Sequence, residues 1–126
     1  MAVVFAVVEG IIARDNICPP NLDVFKPCEC FWDPFEAPYR TMKCNGSQPL
    51  DLKAIFQKLS HELKPDQNDY LEFLLFETEV NELPANVFGN ITFKKFDFRR
   101  NSKLDKIHKL AFNGLQKSLY KVSFNR

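Results

Sequence analysis

The chain has 126 residues, enough for one domain with a modest core, and its 17 basic and 16 acidic residues leave a net charge of +1. That balance supplies no field to draw the molecule toward nucleic acid or an acidic membrane surface. Thirteen phenylalanines point to an interior built largely from aromatic rings.

Residues 1–13 read as the hydrophobic part of a secretory signal peptide. Val3, Val4, Phe5, Val7, Val8, Ile11 and Ile12 make an apolar run too short to span a membrane. No basic residue precedes the run and Glu9 interrupts it, so the signal is atypical or truncated, with cleavage expected after Gly10 or Ala13.

Residues 14–49 read as a cysteine-rich amino-terminal cap. Cys18, Cys28, Cys30 and Cys44 all lie in the first third of the chain, and an even number of clustered cysteines implies disulfides and an oxidising compartment. Of the three pairings, the one joining Cys28 to Cys30 is least favoured, because residues two apart reach disulfide geometry only with strain; two remain. A zinc site is the alternative, but the spacing C-x9-C-x-C-x13-C lacks the C-x2-C knuckle. Pro19, Pro20, Pro27, Pro34 and Pro38 break any long element here. Phe31, Trp32, Phe35 and Tyr39 are expected to cover the exposed end of the following repeats, in preference to lining a ligand pocket. Residues 40–43 are expected to form a strand ending at Cys44. Asn45-Gly46-Ser47 is a glycosylation sequon, and Asn90-Ile91-Thr92 is a second.

Residues 50–69 read as a helix and a linker. Leu52, Ile55, Phe56, Leu59 and Leu63 share one helical face, Asp51 is placed to cap it, and Pro65, Asp66, Gln67 and Asn68 end it. His61, at its end among polar neighbours, is assigned to the surface.

Residues 70–126 repeat themselves. Leu71, Leu74 and Phe76 have the spacing 1, 4, 6, which returns as Phe93, Phe96 and Phe98 and again as Leu119, Val122 and Phe124. Leu83, Phe88 and Ile91 find counterparts in Ile107, Phe112 and Leu115. A period in the twenties with an L-x-x-L-x-L core predicts a leucine-rich repeat array: an α+β solenoid with parallel strands on its concave face, two repeats complete and a third begun, and no carboxy-terminal cap. Strand alternation would send Leu74 and Phe76 inward and Phe73, Leu75 and Glu77 outward. Asn101, three residues after Phe98, occupies the turn position where an amide side chain satisfies freed backbone groups; Thr78 and Glu79 stand there in the first repeat.

Little in this inventory suggests catalysis. His61 and His108 have no Ser or Cys at nucleophile spacing, the cysteines are committed to disulfides, and no glycine-rich phosphate loop is present. Glu77, Glu79 and Glu82 read as a solvated turn rather than a carboxylate pair. No catalytic residue, metal ligand or cofactor is assigned. The expected functional surface is a grid of outward strand positions: Phe73, Leu75 and Glu77, then Lys95, Asp97 and Arg99, then Lys121, Ser123 and Asn125. Phe73 and Leu75 would be its apolar anchor unless the cap covers them.

These residues resemble secreted leucine-rich repeat proteins with a cysteine-rich amino-terminal cap. Within that class, Leu52-Lys53-Ala54-Ile55-Phe56, the run from Glu82 to Lys95 and the stretch from Ile107 to Phe112 are similar to arthropod relatives of the non-catalytic subunit of oplophorus luciferin 2-monooxygenase. The resemblance implies disulfides joining Cys18 to Cys30 and Cys28 to Cys44. It also implies a non-catalytic extracellular module that binds protein through its strand face, or an accessory subunit of a secreted oxygenase-type enzyme. Such relatives carry more repeats, so a fragment of a longer protein, or a chain that self-associates or is capped at its open end, is the further expectation. Nucleic acid and a membrane span are not expected.

Overall fold

The computed structural model describes residues 17–35 and 37–125. The expected leader at residues 1–13 lies outside them. The elements are β1 (Glu29–Asp33), β2 (Ala37–Gly46), α1 (Leu52–Glu62), β3 (Asp69–Thr78), β4 (Glu82–Leu83), β5 (Thr92–Arg99), β6 (Lys106–Ile107) and β7 (Lys121–Asn125), with 3-10 turns at Leu22–Phe25 and Pro65–Gln67.

The expected α+β solenoid of leucine-rich repeats is corrected by this topology. One mixed five-stranded sheet runs in the order β1-β2-β3-β5-β7, a second sheet is the two-stranded pair β4-β6, and α1 is the single α-helix among the described residues. β1 folds back antiparallel on β2, and β2 joins β3 in parallel. The cysteine-rich segment therefore does not sit over the sheet as a separate cap. It supplies the sheet's own first two strands, and the repeated spacing supplies its parallel neighbours β3, β5 and β7.

Two disulfides hold the amino-terminal segment, Cys18 to Cys30 and Cys28 to Cys44, the pairing that the resemblance implies. Each closes a short loop and so restricts the unfolded chain more than the folded one. Val24 and Phe25 of the first 3-10 turn are the apolar plug, and the Phe25 ring meets Tyr70 edge-on at 6.1 Å. Of the four aromatics expected to cover the repeats, Phe31, Phe35 and Tyr39 are exposed, Phe31 on the edge strand β1, and Trp32 is half-buried. Arg40, only 2% exposed, locks this segment to the next. Its guanidinium donates to the carbonyls of Ile17, Asp66 and Asp69 and lies 4.7 Å from the centre of the Tyr70 ring.

α1 follows from its sequence as expected. The Asp51 carboxylate accepts from the Ala54 N–H at 3.0 Å, and Leu52, Ile55, Phe56 and Leu59 are buried along one face. That face covers the inner side of the sheet, with Phe56 edge-on to Phe73, Phe88 and Phe93 at 5.0–5.9 Å. Phe93 is the hub of the core: its ring meets those of Phe56, Tyr70, Phe73, Phe88 and Phe96. Each such pair contributes about 0.5–1.5 kcal/mol beyond its burial, so the aromatic cluster is the main element holding α1 to the sheet.

The register of β3 is one residue from expectation. Tyr70 pairs with Phe93, Phe73 with Phe96 and Leu75 with Phe98, so the inward set is Tyr70, Phe73 and Leu75 in place of Leu71, Leu74 and Phe76. A slip of one residue exchanges the two faces of a strand. The choice is enforced by volume, because Phe73 fills the space between Phe56, Phe88 and Phe96, and by the turn that follows. There Asn101 Oδ1 accepts from the Thr78 N–H and hydroxyl, and its Nδ2 donates to the Leu75 carbonyl. The side chain of the β5 turn thus satisfies the backbone of the β3 turn, binding one repeat to the next.

The second half of each repeat stacks in the same manner. Leu83 pairs with Ile107, Phe88 stacks on Phe112 at 5.9 Å, and Asn113 donates to the Asn86 side chain at 2.8 Å. Gly89 lies in the left-handed region at φ +56, where a Cβ would come within 2.4 Å of Ser60 Oγ. That hydroxyl accepts from the Asn90 N–H, so glycine here lets α1 approach the turn.

Candidate interaction face

α1 covers one side of the five-stranded sheet, and the opposite side has no helix packed on it among the described residues. Strand alternation and the ladder registers array its side chains in rows. Thr41, Glu72, Lys95 and Lys121 form one row; Lys43, Leu74, Asp97 and Ser123 the next; Asn45, Phe76, Arg99 and Asn125 the third.

Six of the nine expected face residues, Lys95, Asp97, Arg99, Lys121, Ser123 and Asn125, are thus brought together. Phe73 and Leu75 are not. Both are 0% exposed in the core, and Leu74 and Phe76, half-buried, are the apolar residues on the face. Glu77 is exposed but sits beyond the rows, in the left-handed backbone region at φ 53 where β3 ends its outward alternation. The signal that could have set the register was the turn residue. Thr78 stands three positions after Leu75 just as Asn101 stands three after Phe98, which selects Tyr70, Phe73 and Leu75 as the inward set.

Ion pairs shape the face. Lys95 Nζ reaches Glu72 at 3.8 Å across the first row, a contact of modest energy at this exposure. Asp97 holds Arg99 more closely, with Oδ2 accepting from Nε at 2.9 Å and lying 2.8 Å from Nη2. The hydrogen bond that Arg99 donates to Asp97, and then the Asp97 charge, raise the Arg99 pKa above its ordinary value. The consequence is geometric: a half-exposed planar cation is held to Asp97 through Nε and Nη2, on the strand position paired with Phe76. Arg100 adds a second cation, its guanidinium carbon 5.9 Å from the centre of the Phe76 ring.

The remaining chemical candidates are dispersed. His61 and His108 are exposed, and His108 Nδ1 accepts from the Leu110 N–H. Glu79 pairs with Lys103 at 2.7 Å, and Glu77 and Glu82 are exposed. Among the described residues, no three His, Cys, Asp or Glu side chains gather where a metal ion could be held, and no helix is long and apolar enough to cross a membrane. Both sequon asparagines are exposed. Asn90 lies in the turn before β5, and Asn45 is the next-to-last residue of β2, paired with Phe76.

Compared with known protein families, curated proteins and solved structures, this chain matches none.

Proposed function

We propose that this chain is a secreted, non-catalytic protein-binding module whose docking surface is the helix-free face of the five-stranded sheet. The observation that carries the reading is the Phe76–Arg99 corner: an arginine held in place by Asp97, next to the half-buried rings and methyls of Phe76 and Leu74. Interface energy concentrates in such groups, an apolar anchor beside a pre-oriented arginine, because little side-chain entropy remains to be lost on binding. Lys43, Glu72, Lys95 and Lys121 would form the polar rim.

Secretion is supported by the two disulfides, which persist in oxidising compartments, and by the exposure of Asn45 and Asn90. A glycan on Asn45 would stand at the margin of the proposed face, next to Phe76. If the bound protein is a secreted oxygenase, the chain would serve as its accessory subunit and the two would copurify in fixed ratio.

The test is paired capture from the secreted fraction of the source tissue, with the wild-type protein and an L74D/R99A variant. A species held by the wild type and lost by the variant, with circular dichroism unchanged, supports the face. A species held equally by both removes the face from consideration.

A further inference from the structure

One exposed motif lies within the helix-free face itself. Asn45, Gly46 and Ser47, the first sequon, are all exposed. Met42 and Cys44 on β2 are 0% exposed, and the bridge from Cys44 to Cys28 fixes that inward set, so strand alternation turns Asn45 outward. In the ladder Asn45 pairs with Phe76, and Phe76 with Arg99, which puts the acceptor amide one strand from the ring and two from the arginine. Gly46, at φ +108 where an added Cβ would meet nothing within 4 Å, ends the strand, and Ser47 follows in an exposed bend.

The second sequon is placed differently. The Asn90 N–H donates to Ser60 Oγ of α1, Ile91 is 0% exposed, and the Thr92 hydroxyl donates to the Asp69 carboxylate. Asn90 therefore stands on the helix side of the sheet, away from Phe76 and Arg99. The two sites separate the effect of a glycan on this face from the effect of a glycan in general.

We infer that Asn45 is a glycosylation site whose glycan lies across Phe76 toward Arg99 and covers the docking corner, so that the chain with a bare Asn45 binds its partner more tightly. This rests on the reading of the chain as secreted and of that corner as its docking surface. In the transfer, the Asn45 amide nitrogen bonds to the anomeric carbon of an oligosaccharide carried on a lipid pyrophosphate. The bond from that carbon to the pyrophosphate oxygen breaks, the pyrophosphate leaves with the electron pair, and the amide proton passes to a base of the transferase. Neighbouring strands are about 4.8 Å apart, close to the width of one sugar ring, so the first sugar reaches Phe76 and the second reaches Arg99. The apolar C–H side of a pyranose suits the electron-rich face of an aromatic ring, and its hydroxyls accept from a guanidinium. Both groups are already ordered, Phe76 by its half-burial and Arg99 by Asp97, so little further entropy is lost when the sugars settle.

The test uses the full chain expressed through a secretory pathway, beside S47A, which abolishes the sequon and leaves Asn45 and the face unchanged, and N90Q. Peptide mapping after enzymatic glycan release in heavy-oxygen water should mark Asn45 in the secreted wild type and not in S47A. An unmarked Asn45 in the wild type would overturn the inference. With isotope-labelled phenylalanine, NMR should show contacts between the first sugar and the Phe76 ring, and a soluble gadolinium chelate should broaden that ring more in S47A than in the glycosylated wild type. N90Q should match the wild type in both. Equal broadening in S47A and the glycosylated protein would place the glycan away from Phe76 and overturn the inference. In paired capture, a species held by S47A should be held about tenfold more weakly by the glycosylated protein, and equal affinity would overturn the inference as well. Equal retention of that species by S47A and S47A/L74D/R99A would instead sink the docking reading, while a marked Asn45 and a shielded Phe76 would still support the position assigned to the glycan.

Discussion

β5 and β7 carry the same apolar spacing and meet opposite fates. Phe96 and Phe98 on β5 are sealed, flanked by β3 on one side and β7 on the other, with Phe88 and Phe112 beneath. Val122 and Phe124 on β7 have β5 on one side and an open groove on the other. Burial here is a property of the neighbouring layer more than of the residue, since identical spacing gives a core in one strand and a surface in the next.

The difference predicts a steep gradient of mutational cost. F73A, at the centre of the aromatic cluster, should lower the unfolding free energy by about 3–5 kcal/mol, through lost transfer energy and the cavity left among Phe56, Phe88, Phe93 and Phe96. F124A should cost under about 1 kcal/mol, because its ring is half in water already. Urea denaturation of the two variants gives the ratio directly; equal losses would mean that β7 is as enclosed as β3.

A second prediction concerns how the sealed layers are bolted together. Asn101 supplies three hydrogen bonds to the β3 turn, and N101A would leave the Leu75 carbonyl and the Thr78 N–H without that partner. We expect a loss of about 2 kcal/mol, with N101D recovering only the part that accepts from Thr78. Amide exchange at Thr78 should accelerate in N101A. If it does not, the turn is held by something other than this side chain.

A smaller loss is expected where α1 meets the turn before β5. G89A places a methyl where Ser60 Oγ now lies and asks a non-glycine residue to hold φ +56. The cost should be about 1–2 kcal/mol, and the double variant G89A/S60A should recover the steric part but not the backbone part. Full recovery would show that the left-handed conformation is not demanded at this position.

Much of this arrangement was legible in the chain. The helix with its Asp51 cap, the cysteine-rich segment and the spacing that makes β5 and β7 follow from local pattern, because those signals lie within a few residues of one another. Two features were not. Leu71-Leu74-Phe76 and Tyr70-Phe73-Leu75 satisfy the same spacing equally well; the one local cue between them is Thr78, three positions after Leu75, and its meaning shows only in its contact with Asn101, 23 residues away. The joining of β2 to β3 in one mixed sheet depends likewise on a long-range ladder, which no local periodicity encodes. The candidate face inherited the first error: the residues named on β5 and β7 take outward strand positions, and the outward positions of β3 lie one residue from those expected.

The mildest prediction tests the near end of the sealed region. Tyr70 is buried against Phe25, Phe93 and Arg40, and its hydroxyl has no hydrogen-bond partner among the described residues. Burial first, and the Asp69 charge to a smaller degree, push its pKa well above the ordinary tyrosine value, with Arg40 pulling the other way. Below about pH 10 both the folded and the unfolded chain keep the phenol proton, so the full stability contribution is present. Above that pH the unfolded chain ionises while the folded one resists, the unfolded state holds fewer protons, and stability falls as pH rises. Y70F should therefore melt at the wild-type temperature or slightly above it at neutral pH, within about 1 kcal/mol, and should lose less stability than the wild type between pH 9 and 11. A neutral-pH loss well beyond that margin would show that the Tyr70 hydroxyl is bonded after all, and parallel alkaline profiles would show that it titrates as an exposed phenol does. Either result would place the start of β3 with the open β7 end instead of with the sealed core.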